Sequence, residues 1–171
     1  MIKRRHSTDD LRSFALYSDC EAYRYLLSRT WDDSKQTVAF VMLNPSTATE
    51  RANDPTIERC ERRARRMGFD ALSITNIFAF RATDPKTLKK TNAPDGVDNL
   101  ETVLTETANA DLVVAAWGTH GSFRDQGFRF KHALRAANVP LHHIGLTKHG
   151  HPRHPLYVSY DVQPKAWNLV H

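Results

Sequence analysis

Val38-Ala39-Phe40-Val41-Met42-Leu43-Asn44-Pro45-Ser46-Thr47 is an apolar run that stops abruptly at Asn-Pro-Ser. Such a run, followed by turn-forming residues, is typical of a buried strand whose chain then leaves the sheet at the carboxyl edge. Ligands of open α/β sheets bind outside that edge. Asn44, a polar amide next to the rigid ring of Pro45, is therefore the first candidate for a functional side chain.

Other apolar segments extend this pattern of strands. Residues 71–80 are predicted to form a second core strand, with Asn76 near its end, and residues 110–118 a third that ends at Trp117-Gly118. Residues 141–146 are predicted to form a shorter fourth strand. Residues 23–31 are aromatic and β-leaning, and a turn at residues 31–35 would pair them with the strand at 38–43 as an antiparallel hairpin.

Three segments between these strands have helical spacing. Asp54 can cap a helix that begins at Pro55, and its inward face would be Ile57, Cys60, Ala64 and Met67. Further helices are predicted at residues 99–109, with Leu100, Val103, Leu104 and Ala108 inward, and at residues 123–137. Residues 81–94 are predicted to be a long exposed loop. Strands alternating with helices predict an α/β fold, a three-layer α/β/α sandwich with a mainly parallel central sheet.

Length and composition favour one soluble domain over residues 1–171, with a loose N-terminus at residues 1–13 and a short edge strand at residues 14–17. No segment is apolar enough to span a bilayer, and the first residues lack the apolar core of a signal peptide, so we expect a cytoplasmic protein with no membrane partner. The net charge of +5 and the pI near 9.4 suit a polyanionic partner but do not establish one.

The cysteines and histidines do not form a recognisable metal site. Cys20 and Cys60 are the only cysteines in the sequence, which excludes a zinc site or cluster made of cysteine alone. The late histidines match no standard ligand spacing; they are His142, His143, His149, His151 and His154. We therefore predict neither a metal nor a cofactor.

The order of the motifs resembles that of the uracil-DNA glycosylase superfamily across residues 38–160. The shared features are Asn-Pro after the first strand, Asn76 in the second, Ala-Trp-Gly after the third, and a late His-Pro loop. The whole chain also resembles an uncharacterised bacterial family of unknown function. The motifs that carry this second resemblance are Leu-Asn-Pro-Ser-Thr, Asp-Pro-Thr, Asn-x-Phe-Ala-x-Arg, Ala-Trp-Gly and Gly-His-Pro-Arg-His-Pro-Leu-Tyr.

The glycosylase resemblance implies a uracil-DNA glycosylase-like fold and assigns roles to single residues. Asn44 would position the attacking water, and Asn76 would hydrogen-bond the flipped base. His154, or His151 as the next best match, would stabilise the negative charge that grows on the departing base. Each amide has a structural alternative, because Asn-Pro forms turns and Asn76 could bond a neighbouring loop.

The same motifs supply further candidates around these residues. Leu156 or Tyr157 could fill the gap left by an extruded nucleotide, and Arg153 and Lys148 could hold phosphates. Because residues 46–60 contain no aromatic side chain, base stacking would fall to Phe78 or Phe80. Asp54 is the nearest acid that could act on water. The remaining candidates for substrate contact are Ser46, Arg81, Trp117 and Gly118.

The resemblance, together with these residues, implies a monomeric nucleobase-binding protein, a DNA glycosylase-like hydrolase of N-glycosidic bonds in DNA or a related nucleic acid, acting on an unidentified and possibly modified base. Two other functions fit the same sequence. One is a non-catalytic module that binds nucleic acid or a nucleotide through Arg59, Arg62, Arg63, Arg66 and Arg153. The other is a hydrolase of small nucleosides or nucleotides. The arginines between residues 59 and 66 are otherwise interpreted as a solvated helix face with i,i+4 ion pairs.

Overall fold

The computed structural model describes residues 1–33 and 36–168, which contain eight strands in one sheet and four α-helices. The strands are β1 (Ile2–Ser7), β2 (Arg12–Tyr17), β3 (Arg24–Thr30), β4 (Thr37–Met42), β5 (Ala71–Asn76), β6 (Leu112–Ala115), β7 (Leu141–His143) and β8 (Lys165–Ala166). The helices are α1 (Pro55–Arg66), α2 (Pro85–Lys90), α3 (Asn99–Ala108) and α4 (Gln126–Ala136). None of the helices in these ranges is long and apolar enough to cross a membrane.

The strand order is β1-β2-β3-β5-β4-β6-β7-β8, with β4 at the centre. The sheet is mixed, which corrects the prediction of a mainly parallel one: four neighbouring pairs of strands are antiparallel and three are parallel. Only β5, β4, β6 and β7 form the parallel part. That part is the one in which buried, continuously apolar strands alternate with helices.

The predicted hairpin between residues 23–31 and 38–43 is wrong. β3 pairs with β5, and β5 lies between β3 and β4. Because residues 38–42 are buried on both faces of the sheet, β4 is stabilised by parallel neighbours on each side rather than by an exposed antiparallel partner. Of the predicted turn at residues 31–35, Ser34 and Lys35 lie outside the described residues.

The N-terminus is not loose, contrary to prediction. Residues 2–7 and 12–17 form an antiparallel hairpin, in which residues 14–17 belong to an interior strand and β1 is the edge. The charges that suggested a loose terminus lie over aromatic rings of the paired strand, with Arg4 5.5 Å from the Tyr17 ring centre and Arg5 5.3 Å from that of Phe14.

Helices cover both faces of the sheet. On one face, Ile57, Cys60 and Ala64 of α1 pack against Phe40 and Met42 of the central strand, and Asp54 caps the helix as predicted. On the other face, the alternate residues Ala39 and Val41 pack in a core that contains Val103 of α3 and Phe130 and Leu134 of α4. Layers of helix, sheet and helix therefore surround the carboxyl end of β4.

Two predictions about helices and one about a loop need correction. Leu100 is 44% exposed, and Asn99 and Thr107 are buried in α3 together with Val103. The segment 81–94, which was predicted to be a loop, contains the helix α2. The last helix begins at Gln126 rather than at residue 123, because Arg124 and Asp125 have positive φ values of 54° and 53°.

Trp117, directly after β6, packs against two glycines. A Cβ at Gly121 would lie 2.2 Å from the indole Cδ1, and one at Gly127 would lie 2.6 Å from Nε1. We expect Gly121→Ala to lower the free energy of unfolding by about 1–3 kcal/mol, because the added methyl has to displace a fully buried ring. Urea denaturation measures this loss. The neighbouring exposed Ser122→Ala serves as control, and equal stability of the two variants would contradict the packing.

Candidate functional site

A cavity of about 670 Å³ lies where the chain leaves β4 and β6 at their carboxyl ends. This volume falls within the range of small-molecule sites, about 300–1,000 Å³. The start of α1 and the segment 147–158 complete its walls. Of the residues that the sequence singled out, it brings together Asn44, Ser46, Asp54, Trp117, Gly118, Arg153, His154, Leu156 and Tyr157.

Asn44 uses its amide nitrogen to hold two segments together. Nδ2 donates to the carbonyls of Ala82 at 2.8 Å and Pro45 at 3.0 Å, so the exit of β4 is tied to the segment after β5. The amide oxygen accepts no hydrogen bond from any described residue, and Asn44 lines the cavity. The side chain is thus both the predicted turn former and a wall of the cavity.

His154 has a defined tautomer. Its Nδ1 accepts the backbone N–H of Leu156 at 3.3 Å, so the neutral ring carries its proton on Nε2. Burial lowers the pKa of His154, and the nearby charge of Asp54 only partly opposes this effect. His154 is therefore a neutral hydrogen-bond donor at the wall of the cavity.

Gly118 brings the His154 segment close to the end of β6. Its N–H donates to the carbonyl of Pro152 at 2.8 Å, and its φ of +71° is one that glycine adopts without strain. A Cβ at this position would lie 3.4 Å from the Cβ of His154. The glycine of the Ala-Trp-Gly motif thus allows the late His-Pro segment to form a wall of the cavity.

Asp54 is fixed in place by backbone groups. One carboxylate oxygen accepts the N–H of Ile57 at 2.9 Å and the other that of Ala48 at 3.2 Å, so the carboxylate shapes the loop before α1. It is 9% exposed. Each oxygen therefore accepts one backbone N–H, and the carboxylate belongs to a residue that lines the cavity.

Asn76 and Phe78 do not line the main cavity. Asn76 is 1% exposed; its carbonyl accepts from Nδ2 of Asn99 at 2.8 Å, and its own Nδ2 has no partner among the described residues. Phe78 is fully buried against Phe123. Phe80, the other stacking candidate, packs edge-on against Tyr23. The aromatic residues expected to stack on a base are therefore part of the core.

Arg81, Lys148 and His151 also lie outside the main cavity. Arg81 donates to the carbonyl of Glu21 at 3.1 Å, and Lys148 is exposed. His151 borders a smaller neighbouring cavity of about 230 Å³, which also contacts Trp117. Between the two late histidines that the glycosylase resemblance left open, only His154 lies on the main cavity.

Two residues of the cavity wall with ionisable side chains were missed. Arg24 of β3 is 2% exposed and lines the cavity. It donates a hydrogen bond to the carbonyl of Ala48, in the loop before α1. His120 lies 3.1 Å from the ammonium of Lys89, and burial together with that charge lowers its pKa. The sequence did contain an indication that Arg24 is functional, because it lies between two aromatic residues in the stretch Tyr23-Arg24-Tyr25. Charged side chains inside a buried strand are rare unless they have a partner.

The arginines of α1 divide into two groups. Arg62 and Arg65 pair with the glutamates four residues earlier, as a solvated face predicts. Arg63, in contrast, is 1% exposed and donates to the carbonyls of residues 158, 159 and 162, while Arg59 donates to those of residues 155 and 158. These two side chains attach the segment after His154 to the helix.

Residues 1–33 and 36–168 contain no group of three or more His, Cys, Asp or Glu side chains that could hold a metal ion. The walls of the main cavity are made of amide, carboxylate, imidazole, hydroxyl and guanidinium groups among apolar side chains.

The fold and the cavity define a class: an α/β protein with a mixed sheet and a polar ligand cavity at the carboxyl edge of its parallel strands. The chain belongs to the family described as "Protein of unknown function (DUF1643)", whose model matches residues 24–156. This result confirms the expected membership in an uncharacterised family. A search of the curated proteins finds no match. The matched range runs from β3 to the end of the His-Pro motif and contains Asn44, Asp54 and His154.

Proposed function

We propose that the protein binds a nucleobase in the cavity and hydrolyses the N-glycosidic bond of an unidentified, possibly modified base in DNA or a related nucleic acid. The observation that carries this proposal is that one cavity is lined both by His154, a neutral ring with its proton on Nε2, and by Asn44, whose Oδ1 accepts no hydrogen bond from a described residue. A fold like that of the uracil-DNA glycosylases, a monomeric state and a cytoplasmic location belong to the same proposal.

Hydrolysis needs a donor at the base and an acceptor at the water. As the C1′–N bond breaks, its electron pair moves onto the base, and the sugar acquires oxocarbenium character. The Nε2–H of His154 donates to a base oxygen on which this negative charge collects. Asn44 Oδ1 accepts a hydrogen bond from the water whose oxygen bonds to C1′, and the proton released by that water balances the charge of the departing base.

The neutral state of His154 suits this role. A neutral imidazole can stabilise an anion through a hydrogen bond without transferring its proton, and the engaged Nδ1 holds the ring in the required tautomer. The proposal assigns the water to Asn44 rather than to Asp54, whose two oxygens each accept a backbone N–H. An oxocarbenium-like sugar is electrophilic enough to react with water that is only positioned.

The rim of the cavity supports a nucleic-acid substrate. Tyr157 is 91% exposed beside Leu156, as a side chain that replaces an extruded nucleotide would be. Arg153 is exposed on the same rim and suits a phosphate contact. Asn76 contacts neither the cavity nor its rim, so the proposal rests on Asn44 and His154 and no longer on Asn76 as reader of the base.

The alternative of a binding module without chemistry has less support. Of the five arginines it would use, Arg59 and Arg63 donate to backbone carbonyls of residues 155–162. Arg62 and Arg66 are exposed but already pair with Glu58 and Asp161. Salt-dependent DNA binding without base release would nevertheless favour it.

Base release tests the proposal. Duplexes and single strands carrying uracil, hypoxanthine, oxidised or hypermodified bases are incubated with the protein, and free base is detected by mass spectrometry. We expect release from at least one substrate, slowed about 10²-fold by Asn44→Ala, because the water loses its positioning group.

The matched control is Asn92→Ala, which removes an exposed amide outside the cavity. Thermal unfolding of both variants shows whether the loss reflects chemistry or the loop that Asn44 ties. No base release from any substrate, or equal rates for Asn44→Ala and wild type, would contradict the assignment.

A further inference from the structure

The cavity contains a buried positive charge that the proposed chemistry does not use. Arg24 is 2% exposed, and Nη1 donates to the carbonyl of Ala48 at 2.9 Å. Its Nε is buried without a hydrogen-bond partner, and within residues 1–33 and 36–168 no carboxylate forms an ion pair with Arg24. Burial lowers the pKa of Arg24 to about 10, so the guanidinium stays charged at neutral pH.

A second arginine of the same strand is also buried, but it has the hydrogen-bond acceptors that a buried guanidinium normally has. Arg29 is also 2% exposed, but its guanidinium donates twice to Oδ1 of Asn53 and once, at 2.6 Å, to the carbonyl of Thr49. Arg29 does not line the cavity, whereas Arg24 does. The arginine that lines the cavity is therefore the one with a single hydrogen bond to the described chain and an unpartnered Nε.

The surroundings of Arg24 offset its charge only in part. Tyr17 and Asp54 oppose the lowering of its pKa by burial, but no carboxylate of the described residues forms an ion pair with the guanidinium. The hydroxyls of Ser46 and Thr56 line the same cavity and have no hydrogen-bond partner among the described residues. A buried guanidinium with unused N–H groups is costly alone and matches the oxygens of a phosphate or carboxylate.

We propose that Arg24 binds a terminal oxyanion, a phosphate monoester or a carboxylate, of the ligand that enters the cavity. The inference rests on the proposed function only in taking that ligand to carry a nucleobase. A volume of about 670 Å³ exceeds what one flat base fills and leaves room for the charged group. The low exposure of Arg24 favours a terminal group over an internal phosphodiester, which has a sugar on each side.

Calorimetric titration of the whole protein tests this assignment without any bond cleavage. The probes are deoxynucleosides, their 5′-monophosphates, and nucleosides whose base carries a carboxylate. We expect wild type to bind at least one anionic probe about tenfold or more tightly than its neutral counterpart. The two anionic arms show whether phosphate or carboxylate is the ligand group.

Three variants locate the effect. Arg24→Gln is expected to reduce the preference for the anionic probe to less than about twofold, and Arg24→Lys to retain part of it, because Lys keeps the charge but lacks the fork. Arg29→Gln, the matched buried arginine, is expected to lower the melting temperature and to keep the full preference.

Equal binding of neutral and anionic probes by wild type, or no binding of either, would overturn the inference even if Arg24→Gln failed to fold. Retention of the preference in a folded Arg24→Gln would overturn it as well. Failure of base release affects only the proposed function, because the titrations involve no cleavage. Conversely, base release with no anion preference would refute the role of Arg24 alone.

Discussion

Replacing His154 with Ala is expected to slow base release by about 10²- to 10³-fold, the loss typical of removing one donor to a developing anion. The reason is the geometry of the ring: with Nδ1 bonded to the N–H of Leu156, Nε2–H is the donor left for the base. Single-turnover rates on the substrate found by base release measure the effect. The control is His149→Ala, an exposed histidine that does not line the main cavity.

The pH dependence follows from the direction of the pKa shift. Burial lowers the pKa of His154 below its usual value of 6.5, so the folded protein keeps the ring neutral where the unfolded chain takes up a proton. As the pH is lowered below 6.5, the rate of base release is therefore expected to stay constant until the pH reaches the pKa of His154 in the folded protein. Below that pKa the rate is expected to fall. The His154 contribution to stability is present above about pH 6.5 and is lost as pH falls towards the folded pKa. A loss of activity that begins above pH 6.5 and is attributable to His154 would contradict a neutral donor.

Arg63→Met is expected to lower the free energy of unfolding by about 3 kcal/mol. Arg63 is 1% exposed, and its donors reach the carbonyls of Val158 at 2.9 Å, Ser159 at 3.0 Å and Val162 at 2.8 Å. Methionine keeps much of the apolar stem but removes all three donors; Arg59 still donates to the carbonyl of Val158 and the N–H of Val162 to that of Ser159, so the carbonyl of Val162 is the one left without a donor among the described residues. Urea denaturation measures the loss.

Arg62→Met is the matched control, because the adjacent Arg62 is exposed and pairs only with Glu58 one turn earlier. We expect little change in its stability. The segment that Arg63 holds follows His154 and borders the cavity, so Arg63→Met should also slow base release, whereas Arg62→Met should not. Equal stabilities of the two variants would show that Arg63 does not anchor that segment.

Local patterns made the centre of the fold predictable. Residues 38–43 are continuously apolar, which marks a buried strand, and Asp54-Pro55 is a cap followed by a favoured first helical residue. Because parallel strands end at one edge, Asn44 and Trp117-Gly118 could be expected to meet. The position of His154 on the same cavity followed from the order of the motifs rather than from spacing.

The remaining features depend on contacts that sequence spacing does not encode. The position of β5 between β3 and β4 results from non-local strand pairing. β1 is an edge strand whose charged residues do not show the apolar pattern by which strands are predicted. Asn76 lies at the end of β5, within the predicted strand, but its hydrogen bond to Asn99 of α3 is a non-local contact. The environment of Arg24 is likewise non-local, because its one hydrogen bond is to the carbonyl of Ala48 in a distant loop and its Nε is left without a partner.

The central claim is that a nucleobase binds at the carboxyl-edge cavity between Asn44 and His154. The most direct test is a nuclear magnetic resonance titration of isotopically labelled protein with the nucleoside or short single strand selected by base release. We predict that the largest shifts occur at the Asn44 side-chain amide, the Gly118 N–H and the His154 ring. Shifts confined to the exposed arginines of α1, with these three signals unchanged, would contradict the account.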